Sequence, residues 1–131
     1  MSTVLEASLD GGQRALLVEP DDQTRRTLQM LLQGWKFVVR SFSAAMPALA
    51  DGYADSAHVL LVAQRFPDAD GQTVLLWMRQ RGWRGRAIMV ADLQTAELVG
   101  DARESGFAAV LGKPVGRLDL LEALLRTDGS R

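Results

Sequence analysis

The chain has 131 residues, 47% of them hydrophobic, and carries 15 basic against 16 acidic side chains, a formal net charge of -1. That length suits one domain with its own core and is short for two, and the near-neutral balance gives no reason to expect nucleic-acid binding over a whole surface. The lack of cysteine excludes disulfides, thiol nucleophiles and zinc–thiolate sites, a single histidine, His58, cannot build a metal cluster with others, and no stretch approaches the roughly 20 apolar residues that span a bilayer.

The opening MSTVLEASLDGGQR lacks a basic start followed by an apolar run, so it does not read as a signal peptide, and a cytoplasmic protein is expected. Residues 1–13 are polar and contain glycine; they are expected to be a flexible leader before a domain over 14–127, with a tail over 128–131. Ala15-Leu16-Leu17-Val18 is a continuous apolar run, as a strand buried on both faces requires. Pro20-Asp21-Asp22 then stops the strand and caps a helix in which Leu28, Leu31 and Leu32 recur at helical spacing, with Gly34 at its end. Phe37-Val38-Val39 is β-prone. Ser43 to about Tyr53 reads as one short helix, with Pro47 tolerable only in the first turn. His58 to Val62 is a second buried strand, followed by a loop from Gln64 to Asp70 in which Asp70 is the natural N-cap of the next helix.

That helix, Gly71 to Gly82, holds five consecutive apolar residues, Val74 to Met78. A helix on a sheet buries one stripe, here Val74, Leu75 and Met78, which leaves Leu76 and Trp77 as a candidate interaction surface. Arg79, Arg81, Arg84 and Arg86 follow, where cations suit a helix C-terminus. Trp35 and Trp83 follow glycines near helix ends and are expected to pack as lids. Ala87 to Val90 is the next strand, Leu93 to Ser105 a helix closed by Gly106, Ala108 to Leu111 the fifth strand, and Arg117 to Arg126 the fifth helix. In the last helix Leu118, Leu121 and Leu125 form one face, with Leu120 and Leu124 beside it.

Strands alternating with helices five times imply a (βα)5 α/β fold: a doubly wound, five-stranded parallel sheet in the flavodoxin-like order 2-1-3-4-5. A functional site in such a sheet lies outside the carboxyl ends of the strands. Here those ends are Val18-Glu19-Pro20, Val62-Ala63-Gln64, Val90-Ala91-Asp92 and Leu111-Gly112-Lys113-Pro114. The turn after the first strand has no glycine-rich phosphate cradle, which argues against a small flavodoxin-like cofactor binder, and no cofactor is expected.

Leu16-Leu17-Val18-Glu19, Phe66-Pro67-Asp68-Ala69-Asp70-Gly71 and Ser105 to Pro114, in this order and spacing, resemble the receiver domain of bacterial two-component systems over about residues 14 to 126. The resemblance implies an acidic pair after the first strand that helps hold magnesium, a phosphate-accepting aspartate after the third, a hydroxyl after the fourth, and a lysine after the fifth. Carried over by position, Glu19 is the first acid and Lys113 with Pro114 the lysine end, but Pro20, Ala63 and Ala91 stand at the second acid, the acceptor and the hydroxyl. The resemblance therefore implies a pseudo-receiver, not an enzyme, with weak or absent magnesium binding. Lys113 and Glu19 are expected to pair across the strand ends, with Arg65 as a further group able to fill the pocket.

Function would then come from binding a kinase, a regulator or another receiver. The face of the fourth helix, fifth strand and fifth helix is the usual partner or homodimer surface of the family, and Leu120 and Leu124 are candidates for it. No membrane contact and no direct nucleic-acid binding are expected. The rival reading is an active phosphoacceptor that uses another carboxylate, such as Asp68.

Overall fold

Apolar runs become strands here because a parallel sheet covered on both faces offers no wet side. The computed structural model describes residues 12–125. Its strands are β1 (Arg14–Val18), β2 (Val38–Phe42), β3 (Val59–Ala63), β4 (Arg86–Ala91) and β5 (Ala109–Gly112). All pairings are parallel, in the order β2-β1-β3-β4-β5. The expected fold and strand order are those observed. The helices are α1 (Asp22–Gly34), α2 (Ala45–Ala50), α3 (Tyr53–Ser56), α4 (Gly71–Gln80), α5 (Ala96–Glu104) and α6 (Arg117–Leu125). Most of the expected leader and all of the expected tail lie outside the described residues.

Two cores form, one on each face of the sheet. Leu16, Leu60, Val62 and Met89 point toward α2, α3, α4 and α5, where they meet Leu49, Val74, Leu75, Met78 and Phe107. Leu17, Leu61, Ile88 and Val90 point the other way, to Leu28 and Leu32 of α1 and Leu120 and Leu121 of α6. Alternate residues of each strand thus feed opposite cores, as the two-residue strand period dictates.

Four local expectations need correction. The second strand starts at Val38 rather than Phe37 and runs on through Arg40 and Ser41 to Phe42. It is an edge strand with half-exposed residues, so polar side chains are tolerated and the apolar signal is diluted. The single helix expected from Ser43 to Tyr53 is two helices, broken at Asp51-Gly52. There the Asp51 carboxylate accepts from the Tyr53 amide and pairs with Arg40 at 2.7 Å. The helix expected from Leu93 starts only at Ala96, because Thr95 caps it by accepting from the Leu98 amide.

The fourth correction concerns α6. Leu120 is fully buried, so it is no part of an exposed partner surface, and Leu124 is half-buried against the same core. Leu118, grouped above on one face with Leu121 and Leu125, is 58% exposed. With leucines at 118, 120, 121, 124 and 125, two stripes one residue apart have nearly the same apolar content. Docking on β5 selects the stripe of Leu120, Leu121 and Leu124.

Candidate functional site

The carboxyl ends of β1, β3, β4 and β5 open into a cleft of about 400 Å³ lined by Glu19, Pro20, Asp21, Ala63, Gln64, Arg65, Val90, Asp92 and Lys113. Parallel strands put these side chains together: each strand stops at the same end, so the residue that ends or follows it faces the same space.

Glu19 is the one buried charged residue among those described, with no accessible surface. Its Oε2 accepts from the Asp21 amide at 2.9 Å and from Lys113 Nζ at 3.1 Å. Its backbone carbonyl accepts from the Arg25 guanidinium at 2.8 Å. Its other carboxylate oxygen, Oε1, is buried with no hydrogen-bond partner among the described residues. Lys113 reaches this carboxylate from the end of β5 and also lies 3.3 Å from Asp92. Partial burial lowers the Lys113 pKa, but the hydrogen bond and charge of Glu19, and then Asp92, outweigh it and leave the ammonium above its ordinary value. The Lys113–Pro114 peptide is cis.

The remaining predicted residues divide by place. Pro20 and Ala63 line the cleft with hydrocarbon, while Ala91 is buried beneath it and Pro114 lies exposed outside it. Arg65 is exposed at the cleft wall, its backbone bridged to Asp70. Asp21 caps α1, its Oδ2 accepting from the amide and the hydroxyl of Thr24 at 2.8 and 2.7 Å. Asp70 caps α4, accepting from the Thr73 amide at 2.8 Å. Asp68 is not in the cleft: its two oxygens accept from the Ala45 and Met46 amides at 3.1 and 2.9 Å, capping α2. That employment gives Asp68 a capping role away from the cleft. Asp92 was missed; the signal was a carboxylate directly after β4, at the same end as Lys113.

The donor set does not fit the divalent cation that the resemblance implies. Magnesium demands near-octahedral oxygen ligation, in which one or two carboxylates and several waters take part. Pro20 and Ala63 offer no side-chain ligand where the resemblance implies an acid and the acceptor, Glu19 Oε2 is taken by Lys113 and the Asp21 amide, and Asp21 Oδ2 accepts from Thr24. No group of three metal-ligating side chains occurs among the described residues.

Away from the cleft, Leu76 is 54% exposed on α4, while Trp77 is half-buried against the core and so only in part a surface residue. Trp35 and Trp83 are buried lids; Trp83 Nε1 donates to the Ala57 carbonyl at 2.7 Å, and Arg79 stacks on its ring at 4.9 Å. His58 Nδ1 accepts from the Arg14 amide at 2.9 Å, a structural role. No helix among the described residues is long and apolar enough to cross a membrane.

A five-stranded parallel sheet in this order, with a charged cleft at its carboxyl edge and a lysine at the end of β5, defines the class of two-component receiver folds. The family model of the response regulator receiver domain matches residues 15–125, and the chain belongs to that family. No curated protein matches the sequence. Among solved structures it is similar to chemotaxis protein CheY4 of Vibrio cholerae, at 19% identity and a TM-score of 0.79 over 87% of this chain and 97% of that one. It is also similar to a CheY-like receiver domain protein of Methanospirillum hungatei, at 23% identity and a TM-score of 0.75 over 87% and 91%. A third is the CheX–CheY–BeF3–magnesium complex of Borrelia burgdorferi, at 20% identity and a TM-score of 0.78 over 86% and 87%. At these identities the likeness speaks for the fold.

Proposed function

We propose that this receiver domain works without phosphorylation, as a cytoplasmic, non-enzymatic protein–protein interaction module in two-component signalling. The observation that carries this is the cleft itself. Ala63 offers no nucleophile at the end of β3, and the Lys113 ammonium is already engaged by Glu19 and Asp92. The ion pair joins the ends of β1 and β5 and so takes over the bracing that a metal–phosphate network would give. Magnesium binds weakly or not at all, because Pro20 and Ala63 contribute no side-chain ligand and Lys113 holds one oxygen of Glu19.

The partner is a protein: a kinase, a regulator or a second receiver. In support, the Borrelia burgdorferi relative is named as a complex of CheY with CheX. Leu76 on α4 is one apolar contact point, with Trp77 beneath it. The face of α5, β5 and α6 is the candidate homodimer surface, with Leu118 and the half-buried Leu124 as its apolar residues in place of Leu120.

Incubation of the chain with acetyl phosphate and magnesium, followed by intact-mass measurement, tests the reading. An unchanged mass is expected, and calorimetric titration with magnesium alone is expected to show no micromolar site. A stable gain of one phosphoryl group would overturn it.

A further inference from the structure

At the end of the sheet opposite the cleft, β1 starts at Arg14, β4 starts at Arg86, and His58 directly precedes β3. These three are joined through the backbone. The Arg14 amide donates to His58 Nδ1 at 2.9 Å, and the Arg86 amide to the His58 carbonyl at 3.1 Å. Arg79 in α4 and Arg84 in the turn after it belong to the same group: Arg79 donates to the Gly85 carbonyl at 3.0 Å and Arg84 to the Arg79 carbonyl at 3.2 Å. The guanidiniums of Arg14, Arg79, Arg84 and Arg86 all donate to carbonyls, and none of the four has a carboxylate partner among the described residues. Asp55, beside the Ser56 carbonyl that Arg14 holds, is taken by Arg81 at 2.8 Å. Carbonyls are neutral, so these bonds fix the side chains and leave their charge in place. The C-termini of α4 and α6 offset about half a charge each, less than the four present. Burial and then the Arg84 charge lower the Arg79 pKa, so the cations here oppose one another.

The group calls for an anion, and its surroundings select which kind. The whole chain carries a net charge of -1, so its surface beyond these four arginines is acidic. A long polyanion such as duplex nucleic acid would run from the patch onto like charge. Trp83, the tryptophan at this end, is buried with Arg79 over its ring, so it offers bases no stacking platform. The starts of β1, β3 and β4 span two strand spacings, about 10 Å, which about three extended residues cover. We propose that this end of the sheet docks a short acidic segment of the partner protein, whose carboxylates pair with Arg14, Arg84 and Arg86 while Arg79 adds its charge from behind. The inference rests on the interaction-module reading for the partner being a protein, and adds a surface remote from the cleft.

The test titrates the nitrogen-15-labelled full chain with acetylated, amidated tetraglutamate, with a short DNA duplex and with sodium chloride, at matched ionic strength. Saturable amide shifts at Arg14, His58, Gly85 and Arg86 are expected with the peptide and not with sodium chloride, while Asp21 and Lys113 stay unmoved. Arg84→Glu is expected to weaken peptide binding about five-fold, as for reversal of one exposed charge. Arg26→Glu, on exposed α1, changes the net charge equally and is expected to leave binding as it was. If Arg84→Glu fails to fold, Arg14→Gln is expected to weaken binding about two-fold. No saturable shift up to roughly 20 mM, equal weakening by Arg26→Glu, or shifts centred on the cleft would overturn the proposal. Tighter saturable binding of the duplex would overturn it in favour of a nucleic acid. A chain that stays unphosphorylated by acetyl phosphate yet ignores the peptide loses this inference and keeps the function proposed above; one that is phosphorylated and still binds the peptide loses the other.

Discussion

Lys113 sits between two carboxylates in very different surroundings: Glu19 is buried, while the Asp92 side chain is 90% exposed. Solvent screens the Asp92 contact, so it contributes little to stability. The Glu19 contact is different, because removing Lys113 would leave a buried carboxylate without its counter-charge. Lys113→Met is therefore expected to cost about 2 kcal/mol, below the range for fully buried pairs because Lys113 is partly exposed. Denaturant unfolding checks this, and a loss within experimental error would show that water already solvates Glu19. Asp68 gives a pH-dependent counterpart. The amides of Met46 and then Ala45 hold its carboxyl below the ordinary carboxylate range. A carboxyl depressed in the folded state adds stability above its unfolded pKa and loses it as pH falls through the folded value. The denaturation midpoint of Asp68→Asn is thus expected to lie below wild type at neutral pH, and the gap to close below roughly pH 4.

Three helices end in the same way. After α4 and α5 a glycine takes a positive φ, 94° at Gly82 and 107° at Gly106, and a buried aromatic follows, Trp83 or Phe107. The aromatic's amide reaches back to close the helix, Trp83 to Met78 and Phe107 to Ala102. After α1 the same turn occurs with the Phe37 amide on the Leu32 carbonyl, but Lys36 holds the left-handed position at φ 73°. Gly34, which the sequence offers as the stop, is the last helical residue instead. Lys36→Gly is expected to stabilise the chain by up to about 1 kcal/mol, since only glycine takes this conformation without strain. A lowered denaturation midpoint would count against it. The arginine-rich basic composition also gains a structural meaning at this scale. Arg81 donates to Leu49 of α2, Arg14 to Ser56 of α3, Arg84 to Arg79 of α4 and Arg86 to Ala123 of α6, in each case to a carbonyl near a helix C-terminus. A forked cation suits these unpaired carbonyls and the negative end of the helix dipole. The cluster Arg79, Arg81, Arg84 and Arg86 is thus bound to the protein's own backbone.

The two cores share one sheet, so loss of one face is expected to unfold the other. Trp35 lies in the core of α1 and α6, and Trp83 in that of the other helices. Variants that keep one of these tryptophans, with the remaining two changed to Phe, report on one core at a time. Each is expected to show fluorescence and far-ultraviolet circular dichroism midpoints that coincide, as for a single cooperative transition. A fluorescence midpoint displaced from circular dichroism in either variant would show that one layer opens first. The same construction places the cleft: both layers bury the strands, and only their carboxyl ends are left to bring Glu19, Ala63, Asp92 and Lys113 together.

Local signals were legible wherever adjacent residues decide the outcome. Apolar runs marked β1, β3 and β4, the alternation of strands and helices gave the layer order, Asp21 and Asp70 announced their caps, and Val74, Leu75 and Met78 marked the buried stripe of α4. In the cleft, Glu19 and Lys113 could be placed opposite each other because strand ends converge in any parallel sheet of this order. Other contacts between distant segments were not legible. Asp68 caps a helix 22 residues upstream at Met46, where no local side chain does so. Asp92 engages Lys113 from another strand, and α6 chose between two leucine stripes only by docking on the sheet. Hydrophobic periodicity and capping are short-range and are carried by the sequence itself. Which carboxylate meets which amide or ammonium depends on where the chain returns, and only the folded sheet decides that.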